Sequence, residues 1–399
     1  MNMPRLVVAP GREKSLLRRH PWIFSGAVKE VIGTPRAGET LEVVDCKGNF
    51  LAYAAYSPCS QLTGRVWSFD KDQVIDREFF RKKIFAAAAL RKTLKLDEPG
   101  GGCRLIFSES DGLPGIIADR YGSFIVFQLL SAGAEYHRED IQHVLMELPG
   151  IRGLFERSDA SVRKREGLAP SSGHIAGENV SKITISENQL DFEVDMLHGQ
   201  KTGFYFDLRD ARKKLREFVQ GKRVLNMFSY TGAFAVNALA AGAEFVTNCD
   251  SSRPALEQAE RNLALNRFDG KSFENICGDG FDILKKMRGN NEKYDVIILD
   301  PPKLIDSRNA LERGCRAYQF LARNGFEMLR PDGIMFNFSC SGLMVPDLFH
   351  KITASAAAEA RCDAQILGFL TQAADHPVDI SPPETLYLKG IISHKNTSI

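Results

Sequence analysis

The sequence predicts a multidomain protein. A small β barrel spans residues 1–72, a linking helix and an α+β domain span 73–195, and a doubly wound α/β domain spans 196–399. Three observations carry this: short strands split by Gly and Pro turns at the start, one long amphipathic helix after them, and strict strand–helix alternation after His198. A chain of 399 residues with 44% hydrophobic content can fill more than one core.

In the first region, strands fit Arg5–Val8, Gly38–Val44, Asn49–Tyr56 and Leu62–Phe69, with Asp45-Cys46-Lys47-Gly48 as a hairpin turn. The opening segment sets Arg5, Arg12, Lys14, Arg18 and Arg19 against the single acid Glu13, and Trp22, Ile23 and Phe24 follow. Cations for phosphates beside aromatic faces for bases suit RNA, which makes Arg12, Lys14, Arg18, Arg19 and Trp22 candidate contacts. Solvated arginines over a core tryptophan fit the same pattern equally well. From Ile75 to Leu94 the apolar spacing is helical until Glu98-Pro99-Gly100-Gly101-Gly102 stops it.

The middle region places strands at Cys103–Phe107, Gly115–Asp119, Phe124–Gln128, Gly153–Glu156, Lys182–Ser186 and Leu190–Val194, and a helix near His137–Leu148. Between them, Arg163-Lys164-Arg165 leads into EGLAPSSGHIAGEN, whose Gly, Ser and Pro content predicts a mobile, exposed loop. Beyond His198, strands fit Arg223–Leu225, Glu244–Cys249, Ser272–Ile276, Tyr294–Leu299 and Gly333–Phe338. Helices fit Asp210–Val219, Ala233–Ala241, Ser252–Asn266, Gly280–Met287, Ala317–Leu329 and Pro346–Ala360. Two more strands fit Ala364–Leu370 and Thr385–Ser393.

Charge and cysteine usage narrow the function classes. A net charge of +2 is too small to argue global nucleic-acid binding, so local charge must decide. The eight cysteines lack Cys-x-x-Cys spacing and paired histidines, which argues against a metal site and against a disulfide framework. No signal-type apolar segment or membrane-length apolar run is present, so the expectation is a soluble cytoplasmic protein with no membrane partner.

The chemistry gathers at the strand ends of the last domain. The first strand runs into Asn226-Met227-Phe228-Ser229-Tyr230-Thr231-Gly232, a small-residue turn without the Gly-x-Gly-x-x-Gly spacing that a pyrophosphate requires. That absence disfavours a nicotinamide dehydrogenase and suits a ligand without phosphates. Asp250, with Ser251 after it, stands at the end of the second strand, where a carboxylate can accept from two ribose hydroxyls. Asp279 and Gly280 follow the third strand, at the level of an adenine amino group, and the fourth strand delivers Asp300-Pro301-Pro302-Lys303. Any one of these acids taken alone reads equally as a helix N-cap; four strand ends acting together argue for a site.

These residues resemble the S-adenosylmethionine-dependent methyltransferases, whose glycine loop, ribose acid, adenine acid and tetrapeptide after strand four match FSYTG, Asp250, Asp279 and DPPK. The likeness covers about residues 198 to 399. Amine methyltransferases usually carry Tyr or Phe after the two prolines; here Lys303 stands in that place. Attention shifts to Cys340 in Asn337-Phe338-Ser339-Cys340-Ser341, at the mouth of the fifth strand and near the start of the helix at Pro346. Carbon-5 of a pyrimidine is a poor nucleophile until a thiolate adds at carbon-6, and a thiol near a helix N-terminus is a candidate thiolate. For the other seven cysteines a buried, inert role is the expectation.

The whole chain resembles a family of bacterial RNA cytosine carbon-5 methyltransferases built from a PUA-like barrel, a central α+β domain and a Rossmann-like methyltransferase domain. APGREKSLLRRHPWIFSGAV, HGQKTGFYFDLRDAR, NMFSYTGAF, LDPPK and FSCSG carry the likeness in that order. The resemblance implies S-adenosyl-L-methionine as cofactor, 23S ribosomal RNA as partner, Cys340 as nucleophile and Asp300 as the group holding the cytosine ring. It also places Lys201, Thr202 and Asp207 at the cofactor, together with Phe228 to Gly232, Asp250, Ser251, Asp279, Gly280, Asp300 and Pro301. Lys303 would meet a phosphate or pair with an acid. DPPK lacks the second cysteine that carbon-5 RNA methyltransferases commonly carry there. Two alternatives stay open, an exocyclic-amine RNA methyltransferase using Asp-Pro-Pro and a noncatalytic RNA-binding assembly factor; homodimerisation is open as well.

Overall fold

The computed structural model describes residues 3–396. Its contacts divide the chain into two compact units. The first holds residues 1–185, 194–206 and 374–385; the second holds 186–193, 207–373 and 386–399. The division therefore differs from three consecutive spans: the barrel and the α+β region share one unit, which also takes a segment from near the C-terminus.

In the first unit, a six-stranded sheet runs Trp22–Phe24, Leu62–Ser68, Phe50–Tyr56, Thr40–Val44, Arg5–Val8, Val28–Ile32. Alternating apolar residues build its core from Leu6, Val8, Leu16, Ile23, Leu41, Val43 and Val66. A five-stranded sheet runs Ser171–Gly177, Gly153–Ser158, Phe124–Leu129, Ile116–Tyr121, Gly102–Phe107. The helix Arg77–Thr93 is capped by Asp76, whose carboxylate accepts from the Phe79 amide at 3.0 Å. It is more than a linker. Phe79, Phe80, Ile84 and Ala87 are buried in one cluster with Ile106, Ile125 and Phe127 of the second sheet.

The predicted mobile loop is corrected here. Val162–Arg165 is a short helix, and Ser171–Gly177 is a strand paired antiparallel with Gly153–Ser158. Arg163 is buried, donating to the Leu129 carbonyl at 2.5 Å and to Glu135 at 2.9 Å, so this basic run is not wholly exposed. Pairing with a neighbour supplies hydrogen bonds that a Ser- and Gly-rich composition does not advertise.

The second unit is a seven-stranded sheet: β1 (Arg223–Met227), β2 (Phe245–Asp250), β3 (Phe273–Cys277), β4 (Tyr294–Leu299), β5 (Leu329–Ser339), β6 (Ala364–Leu370) and β7 (Lys389–Lys395). Their order is 3-2-1-4-5-7-6. Strands β1 to β5 are parallel and β7 runs antiparallel between β5 and β6. The dinucleotide order 3-2-1-4-5-6 is thus modified by one inserted antiparallel strand. Helices α1 (Ala233–Ala240), α2 (Arg253–Leu265), α3 (Gly280–Gly289), α4 (Leu311–Met328) and α5 (Pro346–Glu359) connect them. Helix α4 starts at Leu311, six residues before the expected Ala317, and the last strand starts at Lys389, since Pro383–Thr385 is a 3-10 turn.

The central strand β4 and the second half of β5 are near-continuous buried runs, as parallel strands covered on both faces must be, while the outer strands β3 and β6 are only partly buried. One polar line crosses the sheet. Asn226 donates to Asn248 at 2.9 Å and Asn248 to Asn275 at 3.1 Å, three asparagines in register across β1, β2 and β3. This satisfies buried amides just below the carboxyl edge, where the strand order reverses and a ligand crevice is expected.

Candidate active site

The β1–α1 turn begins the site. Phe228 and Tyr230 take positive φ of 60° and 47°, and Gly232 follows at 75°. Non-glycine residues hold such backbone only where surroundings enforce it, and such positions cluster at ligand sites. The Ser229 amide donates to the Cys249 carbonyl at 3.0 Å, and the Gly232 amide to Ser229 at 2.9 Å. The Thr231 carbonyl accepts from Asn262 of α2 at 2.9 Å. Gly232 also lies against α2: a Cβ there would stand 2.8 Å from that of Ala259.

Asp250 is fixed by backbone donors on both oxygens, the Tyr230 amide at 2.9 Å and the Ser252 amide at 2.8 Å. Its carbonyl accepts from Gly278 at 3.0 Å, tying the ends of β2 and β3 together. Ser251 beside it is exposed. Asp279 caps α3, one oxygen accepting from Phe281 at 2.9 Å and Asp282 at 3.2 Å. Helix capping is therefore a real duty of Asp279. Gly280 is buried with the Phe228 ring above it, where a Cβ would stand 2.5 Å from a ring carbon.

These residues suit an adenosyl ligand on one observation of the structure. The Ser229 hydroxyl is buried without a hydrogen-bond partner among the described residues, an orphan that native proteins seldom keep unless a ligand or water meets it. Gly232 and Gly280 serve the frame of the site instead, since their missing Cβ atoms let Ala259 and Phe228 close in. Asp250 would take the ribose hydroxyls. Asp207, in the same unit, receives the Tyr387 hydroxyl. Lys201 and Thr202 belong to the other unit: Lys201 is exposed over the Tyr205 ring at 4.7 Å, and Thr202 is buried with its hydroxyl donating to Asp119.

The β4 and β5 ends form the other half. Asp300 is half-buried, Pro301 is buried, and Lys303 is exposed. Half-buried Cys340 brings its Sγ to 4.0 Å from the Pro301 carbonyl oxygen, so the thiol and the Asp-Pro-Pro turn do meet. Ser341 explains how. Its buried hydroxyl accepts from the Ile305 amide at 3.2 Å and bonds the Tyr318 hydroxyl of α4 at 3.0 Å, stitching the post-β4 loop to the post-β5 turn. Burial raises the Tyr318 phenol, and the hydroxyls of Ser339 and Ser341 pull it back.

One residue was missed in the sequence. Lys389 opens β7 opposite Ser339, is 6% exposed, and donates to the carbonyls of Ser341 at 2.7 Å and Tyr387 at 2.6 Å. Burial lowers its ammonium to about 8, and the Cys340 charge opposes that fall. A lysine inside Tyr387-Leu388-Lys389-Gly390-Ile391-Ile392 was the available signal.

The remaining candidates lie in the first unit. Arg12, Lys14, Arg18 and Arg19 are exposed. Arg19 stacks over Phe69 at 5.1 Å. Trp22 is half-buried, its indole donating to Glu109 at 2.9 Å and its ring edge-on to His20 and Phe24; Phe24, half exposed, is the freer aromatic face. Among the described residues no cluster of His, Cys, Asp or Glu is arranged to hold a metal, and no helix is long and apolar enough to cross a membrane.

A sheet of this order, with five parallel strands that end in a glycine turn, a carboxylate after β2 and an Asp-Pro-Pro corner, is the framework of the methyltransferases that use S-adenosylmethionine. The model of S-adenosylmethionine-dependent methyltransferases matches residues 161–378, and that of PUA-like domains matches 6–69. The chain is 49% identical over 387 residues to the ribosomal RNA large subunit methyltransferase I of Yersinia pseudotuberculosis, covering 97% of this chain and 98% of that one. The same figures hold for the protein of that name from Yersinia pestis. The chain belongs to this methyltransferase family. Its fold matches that of a Streptococcus mutans protein assigned to the SAM-dependent methyltransferases, with a TM-score of 0.85, 24% identity and coverage of 98% and 99% of the two chains. A methyltransferase solved in complex with SAH matches equally well. Trm5b from Pyrococcus abyssi shares the fold more distantly, at a TM-score of 0.55 and 17% identity over 99% of this chain.

Proposed function

We propose that the protein methylates carbon-5 of one cytidine in large-subunit (23S) ribosomal RNA, and that Cys340 forms the covalent bond to carbon-6. The observation that carries this reading is the approach of the Cys340 thiol to Pro301 at the same sheet edge as the adenosyl residues. The printed name of the Yersinia relatives supports large-subunit ribosomal RNA as the substrate.

Bound S-adenosylmethionine supplies the methyl group as an electrophilic sulfonium. Cys340 adds as thiolate to carbon-6, which loads electron density onto carbon-5 and lets that carbon take the methyl group. Asp300, beside Pro301, hydrogen-bonds the cytosine ring during addition. Once carbon-5 has lost its proton, Cys340 leaves as thiolate and the 5,6 double bond returns. The target base must be unstacked to reach a thiol in a cleft. Arg12, Lys14, Arg18, Arg19 and Lys303 are exposed cations suited to the RNA backbone. With Trp22 held by Glu109, we assign stacking to Phe24 instead.

The test is nucleoside mass spectrometry of large-subunit ribosomal RNA from cells with and without the gene. One 5-methylcytidine should vanish on deletion and return with the wild-type gene but not with Cys340→Ala. Unchanged 5-methylcytidine at every position overturns the proposal. A lost methyl on an exocyclic amine would instead point to the amine chemistry that Asp-Pro-Pro also permits.

A further inference from the structure

We infer that Lys389 is a positioning residue for the reaction, a buried cation that holds Cys340 in its thiolate form and anchors the turn carrying it. The inference rests on the reading of Cys340 as nucleophile. It starts from geometry. Lys389 lies opposite Ser339 in the β5–β7 register, and its Nζ donates to the carbonyl of Ser341, so it grips the backbone on both sides of the cysteine. A second bond, to the Tyr387 carbonyl, fixes the ammonium from its own strand. Buried cations are kept in proteins when something nearby uses the charge, since burial otherwise expels it.

Three titratable groups lie on or bond to the residues that flank this pair. Tyr318 of α4 feels the Cys340 charge and is tied to Ser341. Asp300 closes β4 beside Pro301. Asp207 takes the Tyr387 hydroxyl. Among the charges acting on Lys389, the one identified is Cys340, and each partner's charge favours the other's ionised form. Lys389 is 6% exposed and is bonded to the turn that carries the cysteine, so its role runs through Cys340.

The proton balance is simple. When the amine is neutral, the thiol proton passes from Sγ to Nζ and leaves a thiolate–ammonium pair. When the amine is already protonated, the thiol releases its proton to solvent and the same pair results. The ammonium then also stabilises the sulfur leaving carbon-6, which lessens the disadvantage of having no second cysteine in the DPPK corner. The acceptor of the carbon-5 proton is a separate group.

The experiment is the pH dependence of iodoacetamide alkylation, followed by mass spectrometry of the Cys340 peptide in the full chain. In the wild type the midpoint should lie below the ordinary thiol value of ~8.5. Lys389→Gln keeps a donor but loses the charge, and should raise the midpoint and slow alkylation at pH 7 roughly tenfold, the effect of about one pKa unit. Lys389→Arg should restore most of the rate. Binding of S-adenosylhomocysteine reports whether each variant is folded. A wild-type midpoint at or above the ordinary thiol value overturns the inference without any variant, and so does a Gln profile matching wild type or Arg. Active Cys340→Ala would sink the nucleophile reading instead, and inactive Cys340→Ala with an unchanged Gln profile would sink only the role of Lys389.

Discussion

The two halves of the sheet edge are built differently. At the ends of β1 to β3, main-chain amides do the holding: Tyr230 and Ser252 fix Asp250, and Phe281 and Asp282 fix Asp279. At the ends of β4 and β5, side chains from distant elements hold instead, with Ser341, Tyr318 and Lys389 locking the Cys340 turn. A ligand site built from local backbone is preorganised by its own turns. A reacting site built from tertiary contacts depends on the packing of helices and strands far apart in the chain, which makes its failure modes separable from loss of cofactor.

The sharpest way to break this comparison is Cys340→Ala. Turnover should fall by at least about 10³-fold, as nucleophile deletions do, while calorimetric binding of S-adenosylhomocysteine stays within a factor of two. Loss of both together would mean the halves are not separable. Asp250→Ala comes next: it removes a charged acceptor, and charged hydrogen bonds contribute about 1.5–3 kcal/mol. Affinity for S-adenosylhomocysteine should drop about 10- to 100-fold, with Cys340 alkylation unchanged. Gly280→Ala forces a methyl toward Phe228, and overpacking of this kind costs about 1–3 kcal/mol. A lower thermal midpoint and weaker cofactor binding should appear together. The smallest effect belongs to Tyr318→Phe, which deletes one neutral hydrogen bond worth about 1 kcal/mol. It should lower turnover a few-fold and leave cofactor affinity intact; the reverse pattern would contradict the division drawn above.

The same contrast explains what the sequence made legible. Strands β1 to β5 were readable to within a few residues because a parallel sheet demands apolar runs punctuated by turns, and Asp250, Asp279 and Gly232 sat at those punctuation marks. The cysteine and Asp-Pro-Pro corner were readable for the same reason. Lys389 was not, since its partner carbonyl at Ser341 is 48 residues away and a single cation in a strand carries no period. Strands Trp22–Phe24 and Val28–Ile32 escaped because their burial does not alternate cleanly over so few residues. Ser171–Gly177 escaped because composition argued for a loop and pairing with Gly153–Ser158 overruled it. Trp22 was readable as important, but its bond to Glu109, 87 residues on, was beyond local pattern.

The segment 374–385 belongs to the first unit, and its fit there is specific. Arg91, wholly buried, donates to the Asp375 carbonyl at 2.8 Å, the Asp375 carboxylate accepts from the Arg104 amide at 3.0 Å, and His376 packs on Phe107. During synthesis the chain emerges N-terminus first, so Arg91, Arg104 and Phe107 make these particular contacts only after residues 374–385 have left the ribosome. The first unit is therefore among the last parts to be completed, and no N-terminal fragment that ends before residue 374 contains all of it.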